Sequence, residues 1–157
     1  MSDDQTNAPL PGPDPALGRL DFFIGSWRIT GRTLDSKGEN VSGRATFEWL
    51  PGGFFLKQEF EAEFAGLPIK SLEIIWYDPA SDTFPSTVYS NLFGAPIPYR
   101  YDVRDRKLMI TTDLNGGATM TATVAGDGDT YSGGWRPNPG AEESGNVPYD
   151  FVVTRER

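Results

Sequence analysis

The stretch Leu56-Lys57-Gln58-Glu59-Phe60-Glu61-Ala62-Glu63-Phe64 changes character at every residue. Lys57, Glu59, Glu61 and Glu63 share one parity, and Leu56, Gln58, Phe60, Ala62 and Phe64 share the other. Successive side chains of a β-strand point to opposite faces. The carboxylate row must lie in water, because burying unpaired charges is prohibitively costly. The other row therefore faces a core, and its one polar member is Gln58.

The same period of two runs outward in both directions. Val41, Gly43, Ala45, Phe47 and Trp49 oppose Ser42, Arg44, Thr46 and Glu48, and Ala118, Met120, Ala122 and Val124 oppose Thr119, Thr121 and Thr123. Ile97, Tyr99, Tyr101 and Val103 oppose Arg100 and Asp102, while Val147, Tyr149, Phe151 and Val153 oppose Asp150 and Thr154. The pattern predicts ten strands, over about 26–35, 41–50, 54–65, 68–77, 83–91, 97–104, 106–113, 117–125, 130–136 and 147–156. Turn-forming residues separate them, among them Ala65-Gly66, Asn115-Gly116-Gly117 and Gly126-Asp127-Gly128-Asp129. Only the Pro137 to Asn146 connection is long, as lids and functional loops tend to be, though an ordinary surface loop reads equally well. Hairpins in succession make a meander, and closing it into an up-and-down barrel removes its exposed edges. The fold class is thus all-β, a ten-stranded antiparallel barrel. Leu17, Leu20, Phe23 and Ile24, at spacings of three and four before Gly25, add one short helical turn at the N-terminal side. Residues 1–15, with four prolines, read as a disordered tail and residues 16–157 as the barrel domain.

Composition narrows the chemistry. The 157 residues contain no histidine and no cysteine. That excludes disulfides, thiolate chemistry, cysteine- or histidine-ligated metals and every nucleophilic group built on these side chains. A formal charge of −8 without a long basic run speaks against nucleic acid. Neither a signal peptide nor about 18 consecutive apolar residues are present, so the expectation is no membrane span and a cytoplasmic location. Gly126-Asp127-Gly128-Asp129 lacks the remaining ligands of a calcium loop and reads as a hairpin turn. No nucleotide-binding glycine motif or nucleophile elbow occurs. No metal or other cofactor is expected.

Three motifs in order, Leu20-Asp21-Phe22-Phe23-Ile24-Gly25-Ser26-Trp27, Phe47-Glu48-Trp49-Leu50-Pro51-Gly52-Gly53-Phe54-Phe55-Leu56 and Ile75-Trp76-Tyr77-Asp78-Pro79, carry a family resemblance. The Gly-x-Trp after a helical turn resembles the calycin barrels: lipocalins, fatty-acid-binding proteins and the nitrobindin-like group. The three together look like the bacterial lipocalin-like domain of unknown function 1579, over roughly residues 16–156. The resemblance implies a ten-stranded calycin-like barrel with an internal cavity and no established reaction. It also implies that Trp27 closes the barrel's base under Arg155, a cation–π contact worth about 0.5–2 kcal/mol. Haem binding as in nitrobindin-like relatives needs a histidine, and this chain has none.

Ten strands should leave room inside, and inward Gly43, Ala45, Ala62, Ala118, Ala122 and Gly133 should enlarge it. Gly133 between Tyr131 and Trp135 reads as a dent in the wall. An apolar cavity with a few placed polar groups is the usual form of a small-molecule site. The candidate ligand-binding residues are Gln58, Phe60, Tyr89, Asn91, Tyr99, Tyr101 and Trp135. In the fourth strand both Ile69-Ser71-Glu73-Ile75-Tyr77 and Lys70-Leu72-Ile74-Trp76 qualify as the inner row. The second is more apolar, which places Glu73 outside; inside, burial would raise its pKa and make it an acid–base group. The leading reading is a container for a small, mostly apolar or amphipathic molecule. The alternatives are a metal-free isomerase, cyclase or lyase using cavity Tyr or Glu, and a structural or protein-interaction barrel. A homodimer is compatible with all three.

Overall fold

The computed structural model describes residues 10–157; residues 1–9 of the expected tail lie outside them. Ten strands follow in chain order: β1 (Gly25–Thr33), β2 (Val41–Trp49), β3 (Leu56–Phe64), β4 (Leu67–Ile75), β5 (Phe84–Ser90), β6 (Ile97–Arg104), β7 (Lys107–Thr112), β8 (Ala118–Val124), β9 (Thr130–Pro137) and β10 (Tyr149–Arg155). Each pairs antiparallel with its neighbours in sequence, and β10 returns to pair with β1, which closes the sheet into a barrel. The last pair in register at that seam is Trp27 and Arg155.

One end of the barrel is stoppered. Asp14 caps the N–H of Ala16 at 2.9 Å, and Pro15 opens a 3-10 helix, Pro15–Phe23, which buries Leu17, Leu20 and Phe23. Proline suits that first turn because its missing N–H would have had no partner there. The Phe23 ring stacks on Phe47 at 4.8 Å and meets Tyr101 and Tyr131 edge-on at 6.2 and 5.9 Å. Trp27 is fully buried and donates its indole N–H to Phe23 O at 2.7 Å. The Arg155 guanidinium lies 4.2 Å from the Trp27 ring, as the calycin resemblance implied. It also donates to Phe22 O and Ile24 O, each at 2.6 Å, so one side chain ties the last strand to the helix. Arg19 reaches Asp82 at 2.5 Å on the other side of this floor.

Two expectations are overturned. The inward row of β4 is Ile69, Ser71, Glu73 and Ile75, while Leu72 and Trp76 are exposed. The cause is the turn. Ala65 and Gly66 both take positive φ, 49° and 86°, forming a two-residue hairpin that sets Phe64 opposite Leu67 and hence Gln58 opposite Glu73. Register outranks hydrophobicity here. The inversion propagates to β5, where Glu73 pairs with Val88 and Ile75 with Ser86. Second, the small inward residues do not make the cavity. A Cβ on Gly43 would come within 2.5 Å of Glu61 O, and one on Gly133 within 1.8 Å of Thr121 O. These glycines admit a neighbouring strand, which fills the space foreseen as a dent.

Candidate functional site

The interior encloses a cavity of about 480 Å³. At its open end stand Leu92 and Phe93 after β5, Leu114 and Asn115 after β7, and Gly145 and Asn146 before β10. The long β9–β10 connection is anchored there, because the Asn146 amide donates to Leu114 O at 2.8 Å and to Gly117 O at 3.3 Å. Large side chains wall the cavity, including Phe47, Phe60, Tyr99, Tyr101, Tyr131, Trp135 and Phe151. Tyr99 and Trp135 meet edge-on at 6.0 Å.

Toward the floor lies a polar cluster. Glu73 is 4% exposed and accepts hydrogen bonds from Ser86 Oγ at 2.6 Å and Tyr101 OH at 2.7 Å. Burial dominates its titration and pushes the carboxyl from 4.5 up to about 7, against the opposing pull of the two hydroxyl donors. Burial, reinforced by the negative charge of Glu73, pushes Tyr99 up to about 12 and Tyr101 well above the usual phenol range. Tyr131 rises for the same two reasons. All three phenols therefore stay neutral at ordinary pH. Gln58 and Ser71 also line the cavity.

Of the residues singled out from the sequence, Gln58, Phe60, Tyr99, Tyr101 and Trp135 come together on this cavity. Tyr89 and Asn91 do not. Tyr89 is 51% exposed on the outside of β5. The Asn91 side chain accepts from Lys70 N at 2.8 Å and donates to Pro68 O at 3.2 Å, continuing the β4–β5 ladder at the rim. Both lie on the outward side because Tyr89 pairs with Leu72, so the register that turns Glu73 inward turns them outward. Glu73 was recoverable, because the pair Ala65-Gly66 and an inward Gln58 together oblige its partner to point inward.

Elsewhere the candidates have structural duties. Asp129, in the Gly126–Asp129 turn, accepts from Arg155 at 2.9 Å and also from Arg157. Among the described residues no group of three His, Cys, Asp or Glu side chains is placed to hold a metal ion. Among the same residues no helix is long and apolar enough to cross a membrane.

A search of curated proteins returns no match to the chain. Among solved structures, the crystal structure of Rv2717c from M. tuberculosis is similar, with a TM-score of 0.61 at 16% identity, covering 92% of this chain and 99% of that one. At that identity the likeness concerns the fold, a closed antiparallel barrel. A model of the family described as "Protein of unknown function (DUF1579)" matches residues 13–128, from the cap of the 3-10 helix through the end of β8 and into the turn that follows. That span is well over half of the sequence and includes the floor helix and the strands that carry Gln58, Glu73, Ser86, Tyr99 and Tyr101, so the chain belongs to the DUF1579 family.

Proposed function

We propose that the barrel is a container for a small, mostly apolar molecule held inside the cavity by its aromatic walls and oriented by the cluster around Glu73. One observation carries the reading: an interior of about 480 Å³ is open at one end and lined by large apolar side chains around a few grouped polar ones. Such a volume falls in the range of roughly 300–1,000 Å³ typical of small-molecule sites. Burying about 200 Å² of apolar ligand surface would contribute roughly 5 kcal/mol before association costs. Native mass spectrometry of the full chain, followed by solvent extraction, tests for a retained guest. Titration with the neutral fluorophore N-phenyl-1-naphthylamine tests the cavity itself. The expected result is saturable, blue-shifted emission at one site, lost in Ser71→Phe, which places a ring inside the lumen. No saturable signal, or one that Ser71→Phe leaves intact, would refute the reading.

A second reading, a metal-free isomerase, cyclase or lyase, draws on the Glu73 carboxyl, which titrates near neutrality as an acid–base group should. Turnover that Glu73→Gln abolishes while fluorophore binding persists would favour it over simple storage.

A further inference from the structure

The charge inventory of the cavity is lopsided. Among the described residues, none that line it is a lysine or arginine, and Glu73 is the one carboxyl. The two guanidinium groups at the floor are committed elsewhere, Arg155 over Trp27 and Arg19 against Asp82. A guest ending in a carboxylate or phosphate would set its anion beside a carboxyl with no cation to neutralise either, the costliest arrangement in a low-dielectric interior. A guest ending in an ammonium would bring the missing counterion.

The acceptors also match. Each Glu73 oxygen takes one hydrogen bond, from Ser86 or from Tyr101, which leaves further lone pairs on both. Gln58 stands directly opposite Glu73 in the β3–β4 register, and its amide oxygen is a second acceptor on the cavity wall. The Tyr99 hydroxyl, two residues from Tyr101 on the same face of β6, is a third. An alkylammonium has three N–H donors. Aromatic faces nearby, Tyr99 and Tyr101 among them, add cation–π attraction that carboxylates do not receive.

Resting on the reading that the cavity takes a small apolar molecule, we infer that its guests are amphiphiles ending in a primary amine, with Glu73 as counterion and Gln58 and Tyr99 as the remaining acceptors. The ammonium pairs with the carboxylate through a charge-assisted hydrogen bond, while the apolar body lies against the aromatic walls toward the mouth.

The test is isothermal titration calorimetry of the full chain with three probes of one chain length, decylamine, decan-1-ol and decanoate. It is run at pH 8 in about 0.15 M salt, which screens attraction to the acidic outer surface. Decylamine is expected to bind at least about tenfold tighter than decan-1-ol, with decanoate weakest. Glu73→Gln is expected to lower decylamine affinity about tenfold and leave decan-1-ol within about twofold. Ser71→Phe should abolish both. Decanoate binding as tight as decylamine, decylamine affinity untouched by Glu73→Gln, or decylamine binding that survives Ser71→Phe would overturn the head-group assignment while decan-1-ol still reports a container. If none of the three probes binds the unaltered chain, the container reading falls, and this inference with it. The ranking of the probes on the unaltered chain decides the matter even if a variant fails to fold.

Discussion

Glu73 titrates near 7 because the folded barrel strips its carboxyl of water and gives it hydroxyl donors but no cation. Since its folded pKa lies above the unfolded value of 4.5, its contribution is favourable below about 4.5 and is lost as pH rises through about 7. The shift corresponds to about 3 kcal/mol across that window. With no histidine or cysteine in the chain, the interval is almost free of other side-chain titrations. The partly buried carboxylates of Asp78, Asp82 and Glu156 act in the opposite sense and at lower pH, because hydrogen-bonding partners depress them. Urea titrations from pH 4.5 to 8 should therefore show Glu73→Gln gaining steadily on the unaltered protein, and parallel curves would count against a buried ionisable Glu73. Arg155 is the other residue with a disproportionate duty. Arg155→Met removes charge-assisted bonds to Phe22 O, Ile24 O and Asp129, together with the contact over Trp27, and should cost about 3 kcal/mol in thermal melts. Arg155→Lys should recover less than half of that, since a single ammonium cannot reproduce the fork.

Among the elements, legibility followed the contrast between the two rows of each strand. β3 declared its faces through four charged residues on one parity, and β2, β6, β8 and β10 did so nearly as well. β4 has no such contrast. Its outward row, Leu72, Ile74 and Trp76, is the more apolar one, and only the geometry of the Ala65-Gly66 turn fixes the other row inside. That turn itself carries strain, because alanine at a φ of 49° pays for left-handed backbone that asparagine tolerates. Ala65→Asn at this exposed site should stabilise the protein by about 1 kcal/mol, measured as a higher urea midpoint at unchanged slope. The inward glycines misled for a related reason: a missing side chain signals either open space or the close approach of a neighbour, and composition does not distinguish the two. Gly133→Ala tests which holds. Its methyl would collide with Thr121 O and part β8 from β9, at a cost of about 3 kcal/mol, whereas Gly38→Ala, with nothing nearby, should leave the midpoint almost unchanged.

On the scale of the whole molecule, closure was readable from the short hairpins, which left the ten strands no arrangement freer of exposed edges than a ring. The site was readable only in part, since its position depends on β4 and β5 and on how far neighbouring walls intrude. Among the described residues, the barrel is stoppered at one end by the helix and open at the other, where Leu92 and Phe93 stand half exposed beside the loop fastened by Asn146. If the barrel holds a guest that passes only through this mouth, microscopic reversibility requires whatever crosses it inward to recross the same barrier outward. Asn146→Ala, which loosens the threshold without touching Glu73, should speed capture and release by the same factor in stopped-flow traces of N-phenyl-1-naphthylamine and leave their ratio unaltered. The doorway would then set the tempo of exchange, and the chamber behind it the preference.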